Sequence, residues 1–477
     1  MDAKSNIKHT PLCVDLDGSL IASDTLWEGL VALLMQKPLM IFQVFSWLLA
    51  GKAVLKKNVA KYTDRSAEDW PVREEVVDYI NLARSQGRKV YLVTGAAEKT
   101  ALELSNHLGL FDGVYHSSEN LNLTSTRKRD RLVDEFGDGG FDYIGNSSDD
   151  IAVFDSARKG IVVAPDRVAR NWQKQNQSEE VYTKPSGIKT ILKAIRVHQW
   201  LKNVLIAVPL FLNHTVFDMD AVLAAVIAFF SFSFFASSVY IVNDLSDLKA
   251  DRAHPTKRKR PLASGAISIP HAALLWVGLF SVSAFLATLL PIEFFYVMVL
   301  YAVVTTAYTF VLKRKLLVDV FTLAGLYTIR IIAGAFATSS PLSFWLLAFS
   351  IFFFLSLALV KRYVELAEGE QGDDAKLLGR GYFGLDTAML AQGGVSAAFT
   401  SAMVLALYIN SPEFSEMYDN PWVLWPLVPI ILYMLLRIWI LAGRGQVHED
   451  PVVFIMRDWR SQLTMVAGGV LILGAML

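Results

Sequence analysis

This chain has very few cysteines and lacks a recognisable targeting signal in its first residues, and both features limit the class of protein to which it can belong. Cys13 is the only cysteine among 477 residues, so no intramolecular disulfide can form, which suits a reducing compartment. The first residues, MDAKSNIKHTPLCVDLDG, contain no apolar signal region, and we expect the first ordered element to be a strand. The formal net charge is zero, and we predict no nucleic-acid partner.

Uninterrupted apolar runs of membrane-spanning length are missing from the first part of the chain and frequent in the rest. From Trp200 onward, apolar runs of roughly 17–25 residues alternate with short polar loops, which is the length that crosses a bilayer. We predict about nine spans, so that an all-α membrane domain over residues 186–477 follows a soluble domain over residues 1–185. The predicted spans cover residues 200–215, 221–242, 272–290, 294–312, 317–337, 342–360, 386–409, 422–441 and 462–477.

Lys and Arg are missing from one of two sets of loops between these spans. The set without them comprises NHTVFDMD, the Pro291 turn, TSSP and NSPEFSEMYDNP. The other set contains Lys249, Arg252, Lys257–Arg260, Lys313–Lys315, Lys361, Arg362, Lys376, Arg380, Arg444, Arg457 and Arg460. The positive-inside rule places the basic loops, the soluble domain and their sites in the cytoplasm, as expected for a multi-pass protein of the cytoplasmic membrane. An odd number of spans puts the C-terminus outside.

Three apolar strands of the soluble domain end in polar or acidic residues. LCVDLDGSL ends at Asp15, with Asp17 two residues later, and KVYLVTGA ends at Thr94. FDYIGNSSDD ends at Asn146 and Asp150. Strands that alternate with helical segments indicate a parallel α/β sheet, whose sites lie at the carboxyl ends of the strands. The polar stretch that follows, residues 167–185, is predicted to be a linker.

These motifs resemble the haloacid dehalogenase phosphatase superfamily. The resemblance implies that Asp15 attacks phosphorus, that Asp17 is the general acid/base, and that Thr94 binds the phosphoryl oxygens. The lysine of the family corresponds to Lys128 in STRKRDRL, at the start of a predicted helix. The alternative is a decayed domain that serves only as a scaffold.

Magnesium is the cofactor that this resemblance implies for the soluble domain. A carboxylate nucleophile beside a phosphate dianion needs cations to cancel the repulsion. The implied ligands are Asp15, Asp17, Asn146 and Asp150. Asn146 stands where many members have Asp, and its neutral amide oxygen would bind Mg²⁺ less strongly.

A very apolar stretch, Trp27 to Ala53, follows the first motif, where this superfamily inserts a cap (about residues 20–80). One interpretation is a helical cap with a packed core. The other is a helix pair that lies against the membrane or the integral domain, close to lipid.

An acidic segment follows the second predicted span, where the chain reads NDLSDLKADRAHPTKRKRPLASG. On a helix Asn243, Asp247 and Asp251 lie on one stripe, at about 0°, 40° and 80°, with Asp244 at its edge. Carboxylates this close repel each other unless a divalent cation lies between them, and oxygen ligands suit Mg²⁺ with a phosphate-rich substrate. The cations that would bind such a substrate are Arg252, His254, Lys257, Arg258, Lys259 and Arg260. The alternative is a solvated cytoplasmic loop.

This segment resembles the first Asp-rich motif of the UbiA prenyltransferase superfamily, N-D-x-x-D-x-x-x-D followed by a basic R-P stretch. The resemblance covers roughly residues 190–477 and implies a fold of about nine spans. It also implies Mg²⁺, a polyprenyl chain and a diphosphate leaving group at the membrane–cytosol boundary.

Basic residues replace the second acidic motif that aromatic prenyltransferases of this superfamily carry. The loop after the sixth span reads LVKRYVELAEGEQGDD, in which Lys361, Arg362 and Tyr363 precede Glu365. Lys202 in RVHQWLKNVLI lies at the predicted cytoplasmic entry to the first span. These cations suit an additional anionic group on the substrate.

The fifth span contains two ionisable residues, Asp319 and Arg330, which are about 20° apart on one helix face. An intramembrane pair of this kind marks a functional site by default, and a structural ion pair is the alternative.

Together these motifs most resemble the decaprenyl-phosphate phosphoribosyltransferase branch of the superfamily. The resemblance implies that a polyprenyl phosphate attacks the anomeric carbon of phosphoribosyl diphosphate and that diphosphate leaves. The soluble domain would then remove the 5-phosphate of the lipid product. The alternatives are a prenyltransferase acting on an aromatic or other small acceptor, and a membrane-anchored regulatory protein without activity. A homo-oligomer is compatible with the sequence.

Overall fold

The structure is a computed structural model, and it describes residues 10–63, 65–118, 122–185, 187–213, 215–254, 256–368, 380–411, 420–448 and 450–475. The predicted loop residue Lys376 lies outside them. The chain forms two compact units. The first contains the described residues up to 195 together with 240–276, and the second contains residues 196–239 and those from 277 onward. The acidic and basic segment Asn243–Gly265 therefore belongs to the first unit.

A six-stranded parallel sheet is the centre of the first unit. Its strands are β1 (Leu12–Val14), β2 (Val90–Ala97), β3 (Gly113–Ser117), β4 (Asp142–Gly145), β5 (Lys159–Val163) and β6 (Glu179–Tyr182), in the spatial order β3-β2-β1-β4-β5-β6. Every neighbouring pair is parallel. The predicted α/β domain with a parallel sheet is confirmed. Because β1 lies between β2 and β4, the residues that follow these three strands are at one edge of the sheet.

Both faces of the sheet are covered by apolar side chains. Leu12 and Val14 pack on one face in a core with Ile144, whereas Cys13 points to the other face and packs near Tyr143. This alternation is the period of two that a strand imposes on its side chains. The helices around the sheet are α4 (Glu74–Ser85), α5 (Glu98–Leu108), α6 (Thr126–Phe136), α7 (Ile151–Ser156), α8 (Arg167–Asn176) and α9 (Ile188–Ala194).

The linker predicted for residues 167–185 is wrong, because this stretch contains α8 and the edge strand β6. Asp166 caps α8, since its carboxylate accepts a hydrogen bond from the Ala169 nitrogen at 2.8 Å. β6 is polar and only partly covered, as befits a strand with one neighbour.

The apolar stretch after the first motif forms helices α1 (Thr25–Gln36), α2 (Ile41–Ala50) and α3 (Lys52–Tyr62). Leu30, Leu55 and Val59 make a small core between α1 and α3. Helix α2 has no buried residue. Val44 and Trp47 of α2 pack against the small core, whereas Phe42, Phe45 and Leu49 are exposed, so the packed cap and the contact with lipid both stay predictions.

The second unit is helical, as predicted. The helices after residue 207 are α10 (Val208–Leu212), α11 (Met219–Ser246), α12 (Leu248–Ala253), α13 (Ile269–Ala287), α14 (Ile292–Phe310), α15 (Val318–Ala337), α16 (Phe344–Ala367), α17 (Thr387–Ile409), α18 (Leu427–Gly443), α19 (Pro451–Arg457) and α20 (Trp459–Ala475). Helix α12 belongs to the first unit, and α11 and α13 are divided between the two units. Helices α15 and α16 pack together with α17 and α18 around one apolar core.

Seven helices of the described residues are long and apolar enough to cross a membrane, and they match seven of the nine predicted spans. The other two predicted spans form shorter elements. Residues 197–207 form a 3-10 helix that precedes the short α10, and α20 has 17 residues. A 3-10 helix is tighter and is used in short pieces, so this part of the chain does not build a regular span.

Candidate functional site

A lysine joins two carboxylates at the carboxyl edge of the sheet. Lys128, in the first turn of α6, donates to Asp15 Oδ1 at 2.7 Å and to Asp150 Oδ1 at 3.3 Å. Tyr143 donates to the same Asp150 oxygen at 2.6 Å. All four residues are buried. Burial opposes the charge of Lys128, but the two carboxylates outweigh it and raise the lysine pKa above its usual range.

The second motif carboxylate, Asp17, has different partners. The Thr25 nitrogen donates to Asp17 Oδ1 at 2.7 Å, and the Thr25 hydroxyl donates to Oδ2 at 3.2 Å. Burial, and then the charges of Asp24 and Asp15, raise the pKa of Asp17 to about 8. Burial also raises the pKa of Asp15, to about 6, although Lys128 opposes that shift. Two carboxyls with separated pKa values suit a nucleophile beside a general acid.

Gly18 allows these strand ends to approach closely. Its φ is +81°, and a Cβ at this position would lie 2.1 Å from Asn146 Nδ2. Glycine is therefore required both by the backbone conformation and by the contact. Ser19 donates to Asp15 Oδ2 at 2.9 Å and lies 3.4 Å from Asn146 Oδ1. The structure thus brings Asp15, Asn146 and Asp150 together.

Thr94 lies deeper than its predicted role requires. It is in β2, which continues to Ala97, and its hydroxyl accepts a hydrogen bond from the Ala96 nitrogen at 2.9 Å. Its neighbour Gly95 lines the cavity at this edge, and Lys56 of α3 donates to the Gly95 carbonyl at 2.7 Å. The backbone beside Thr94 therefore faces the cavity, and the role of its hydroxyl stays a prediction.

The oxygen donors around this cavity fit a hard cation. Asp15, Asp17, Asn146 and Asp150 all line it, and carboxylate and amide oxygens are ligands that Mg²⁺ accepts. Within the described ranges no three His, Cys, Asp or Glu side chains are grouped closely enough to hold an ion by themselves. A cation here would also use the Asn146 amide oxygen and oxygens of water or substrate.

The acidic segment keeps the predicted helical spacing although α11 ends at Ser246. The Asp247 nitrogen donates to the Asn243 carbonyl at 2.9 Å, and the Asp251 nitrogen donates to the Asp247 carbonyl at 2.8 Å. Arg260 bridges two carboxylates, with its Nη1 at 2.6 Å from Asp251 and 3.3 Å from Asp244. Both carboxylates are buried, whereas Asp247 is half-buried. Asp244 and Asp251 are thus both bound by one cation of the basic run.

Arg252 is bound to a carboxylate of the N-terminal domain instead of facing open solvent. Its two terminal nitrogens donate to Glu28 of α1 at 2.9 and 2.6 Å. Arg65 forms a further ion pair with the same carboxylate. The other predicted anion-binding residues, His254, Lys257 and Arg258, are exposed.

Two lysines of the second unit converge on a carboxylate that the sequence did not single out. Lys202 lies 2.7 Å and Lys361 lies 3.2 Å from Asp450 Oδ2. The Tyr327 hydroxyl donates to Asp450 Oδ1 at 3.1 Å. Asp450 also caps α19, through the Val452 nitrogen. The predicted cations Lys202 and Lys361 therefore share one polar site.

Asp319 and Arg330 have separate partners, so the hypothesis that they form a pair is wrong. Eleven residues of helix separate them by about 16 Å along the axis. Asp319 accepts hydrogen bonds from Arg362 Nε at 2.5 Å and from the Tyr382 hydroxyl. Arg330 donates to the Asn203 side chain at 2.8 Å.

Arg362 is enclosed by protein groups. Besides Asp319 it contacts Glu365 in an ion pair and donates to the Tyr308 hydroxyl at 2.9 Å. Its side chain is 0% exposed. Tyr363 packs edge-on against Trp439 at 5.7 Å. Arg362 thus has the environment of a structural residue, while its neighbour Lys361 faces the polar site.

Comparison with known proteins identifies the family. A model of the UbiA prenyltransferase family matches residues 204–459, which is more than half of the chain. The uncharacterized protein y4nM of Sinorhizobium fredii is 38% identical over 456 residues, which cover 94% of this chain and 88% of that protein. The chain therefore belongs to the UbiA prenyltransferase family.

Two further similarities cover parts of the chain. Decaprenyl-phosphate phosphoribosyltransferase of Mycobacterium tuberculosis is 40% identical over 202 residues, which cover 41% of this chain and 66% of that protein. The solved structure of a HAD family hydrolase from Salmonella enterica serovar Typhi is 14% identical, covers 35% of this chain and 65% of that chain, and has a TM-score of 0.28.

The sequence missed Glu28 and Asp450. Both are acids that bind two basic side chains each, and both are distant in sequence from those partners. Asp450 is separated from Lys202 by 248 residues. One signal was available for Asp450, since it directly precedes Pro451 and so marks the start of a helix.

Proposed function

We propose that the membrane domain transfers 5-phosphoribose from phosphoribosyl diphosphate to a polyprenyl phosphate. The observation that carries this proposal is the convergence of Lys202 and Lys361 on Asp450. Lys361 stands where aromatic prenyltransferases carry an acidic motif, and two lysines at one site suit phosphate groups. The likeness to the mycobacterial phosphoribosyltransferase supports the same substrate class.

In this reaction an oxygen of the lipid phosphate attacks the anomeric carbon of the ribose. The bond between that carbon and the diphosphate oxygen breaks, and diphosphate leaves with the electron pair. Asn243, Asp244, Asp247 and Asp251 would hold Mg²⁺, which supplies neutralisation of the diphosphate charge. The basic run and the two lysines would bind the phosphate groups, so catalysis is mainly electrostatic and positional.

The test offers the purified full-length protein two substrate pairs in separate reactions. One is labelled phosphoribosyl diphosphate with polyprenyl phosphate, and the other is a labelled allylic diphosphate with 4-hydroxybenzoate. We expect labelled lipid from the first pair and none from Asp251→Asn, while the exposed Asp220→Asn serves as matched control. Product from the second pair alone would establish prenyl transfer instead.

We further propose that the N-terminal domain is a phosphatase that removes the 5-phosphate of this product. Asp15 would attack phosphorus, Asp17 would protonate the leaving hydroxyl, and water would then hydrolyse the aspartyl phosphate. Lys128 would orient Asp15 and neutralise phosphate charge. The cavity that Asp15 and Asp17 line is also lined by Gly265 and Ser268, which follow the basic run of the transferase sequence. This shared wall supports a common substrate.

Mass spectrometry of the lipid product tests the coupling. Wild-type protein should give polyprenyl-phosphoryl ribose, whereas Asp15→Asn should accumulate a lipid that is heavier by one phosphate. Asp78→Asn, an exposed residue of α4, is the matched control. If Asp15→Asn accumulates no more of the phosphorylated lipid than wild type, the phosphatase has another substrate.

The orientation that we propose puts the N-terminal domain and the basic loops in the cytoplasm and the C-terminus outside. This orientation requires two passes between the N-terminal domain and the Asp-rich segment, one by residues 197–212 and one by α11.

A further inference from the structure

The phosphatase cavity is lined by five carboxylates and by cations, two of which have no role in the hydrolysis proposed above. Its volume is about 340 Å³. Four cationic residues line it: Lys56, Arg73, Lys128 and Lys184. Lys128 is bound to Asp15, and Lys56 is bound to the Gly95 carbonyl. Arg73 and Lys184 take no part in these two contacts.

Arg73 is buried with an unused hydrogen-bond donor. The residue is 7% exposed, and its Nε has no hydrogen-bond partner among the described residues. Its guanidinium stacks over the Tyr182 ring at 4.6 Å, which holds the side chain in place. A buried and unpaired guanidinium donor is costly, so such a group usually binds something.

Lys184 adds a second cation to the same part of the cavity. It follows β6 by two residues, whereas Arg73 immediately precedes α4. Burial and the charge of Arg73 lower the pKa of Lys184, which shows that the two cations repel each other. Burial lowers the pKa of Arg73, and the nearby charge of Glu75 offsets only part of this effect. An anion bound between Arg73 and Lys184 would offset both their burial and their mutual repulsion.

We propose that Arg73 and Lys184 form a second anion subsite, which binds another phosphate group of the substrate while Asp15 attacks the first. The substrate class is then a phosphomonoester that carries a further phosphate mono- or diester. This inference rests on the phosphatase activity proposed above and specifies its substrate. The phosphoribosyl lipid has this character, since its 5-phosphate is a monoester and its C1 carries a phosphodiester. Asp15 displaces the ribose 5-oxygen from phosphorus, water then hydrolyses the aspartyl phosphate to release inorganic phosphate, and the bound diester stays intact.

Two small substrates test the subsite in the full-length protein. One is methyl riboside 5-phosphate, and the other has a methyl phosphodiester at C1 in place of the glycosidic methoxy group. They share the ring and the scissile group and differ by one negative charge. We expect the wild-type kcat/KM for the diester to be higher by about tenfold or more, as one charge-assisted hydrogen bond provides.

Arg73→Gln and Lys184→Met should each bring this ratio close to one. Arg167→Gln and Lys174→Met, at exposed positions of α8, are the matched controls and should preserve it. Lys184 is less buried than Arg73, so its variant keeps the test valid if Arg73→Gln fails to fold. A wild-type ratio of one overturns the proposal. An equal loss on both substrates also overturns it, because the two cations would then bind the scissile phosphate.

Failure of the proposed phosphatase activity gives a different result, since neither substrate would be hydrolysed. Calorimetric binding to Asp15→Asn then still measures the subsite. Tighter binding of the diester compound, lost in the double variants with Arg73→Gln or Lys184→Met, would support the subsite, and equal binding of both compounds would refute it.

Discussion

Arg252 and Glu28 form a two-pronged ion pair that joins the Asp-rich segment to the first helix of the N-terminal domain. The two contacts are 2.9 and 2.6 Å long, and Glu28 is 1% exposed. Arg252 directly follows Asp251, so the pair fixes one end of the acidic segment. A bidentate arginine–carboxylate contact also fixes orientation, which a lysine at this position would not do.

Glu28→Gln should destabilise the first unit, because it leaves two arginines without a charged partner in a buried site. Loss of one member of a buried pair costs about 3–5 kcal/mol. Thermal unfolding of the purified protein measures this loss, with the exposed Glu75→Gln as matched control. Unchanged unfolding in Glu28→Gln would show that the pair contributes nothing to stability.

The same pair predicts a pH dependence. Burial alone would raise the pKa of Glu28, but Arg252 and then Arg65 outweigh it and lower the pKa. A lowered folded-state pKa stabilises the fold above the unfolded value of about 4.3. This contribution is lost as the pH falls through the folded pKa. The stability difference between wild type and Glu28→Gln should therefore be constant near neutrality and shrink only in acid.

Lys361→Met should weaken substrate binding at the polar site of the second unit. Burial would raise the pKa of Asp450, but Lys361 and Lys202 outweigh it and lower the pKa, so both lysines act on this carboxylate. A bound phosphate would replace Asp450 as their partner. Loss of one charge-assisted hydrogen bond should raise KM for phosphoribosyl diphosphate or for the lipid phosphate by about tenfold or more. The exposed Lys315→Met is the control, and equal KM values in both variants would exclude Lys361 from the site.

Arg362→Gln should affect stability more than substrate binding. Arg362 contacts Asp319, Glu365 and Tyr308 and is fully buried. Its removal leaves Asp319 buried without its cation, at a cost of about 3–5 kcal/mol. Thermal unfolding in detergent measures this cost, and the added change Asp319→Asn should recover part of it. A raised KM with unchanged unfolding would instead place Arg362 in the substrate site.

Local patterns predicted the parts of the site that local rules govern. Asp15, Asn146 and Asp150 come together because parallel strands end at one edge, and this follows from the motifs alone. The backbone hydrogen bonds of Asn243, Asp247 and Asp251 also follow the predicted helical spacing, while their role as Mg²⁺ ligands stays a prediction. Local patterns could not predict the contact between Lys202 and Asp450, because these two residues meet only through tertiary packing.

Strand β6 shows why polar sequence misled the prediction. The strand EEVY begins with two glutamates and has only Val181 and Tyr182 as hydrophobic residues, which suits a strand at the edge of the sheet. A pattern rule that expects continuous apolar strands in parallel sheets therefore misses it. Composition likewise does not reveal that residues 197–207, within the first predicted span, adopt a 3-10 helix.

Helix α2 should lie at a lipid surface in the membrane-embedded protein. Leu39, Phe42, Phe45 and Leu49 around it are between 63% and 81% exposed. Burial of each such side chain stabilises by about 1.5–3 kcal/mol, so water is an unfavourable environment for this face. Cys13 is buried, so a cysteine introduced by Phe42→Cys can be labelled selectively with the fluorophore NBD.

In lipid nanodiscs the NBD emission at position 42 should be blue-shifted and should be quenched by spin-labelled lipids. A label at Lys174→Cys, on the exposed side of α8, provides the control and should show neither effect. Replacement of Phe45 and Leu49 by Ser should then weaken the quenching at position 42, because lipid contact requires the whole apolar face. If positions 42 and 174 respond alike, α2 faces water or protein, and a packed cap is the correct interpretation of this helix.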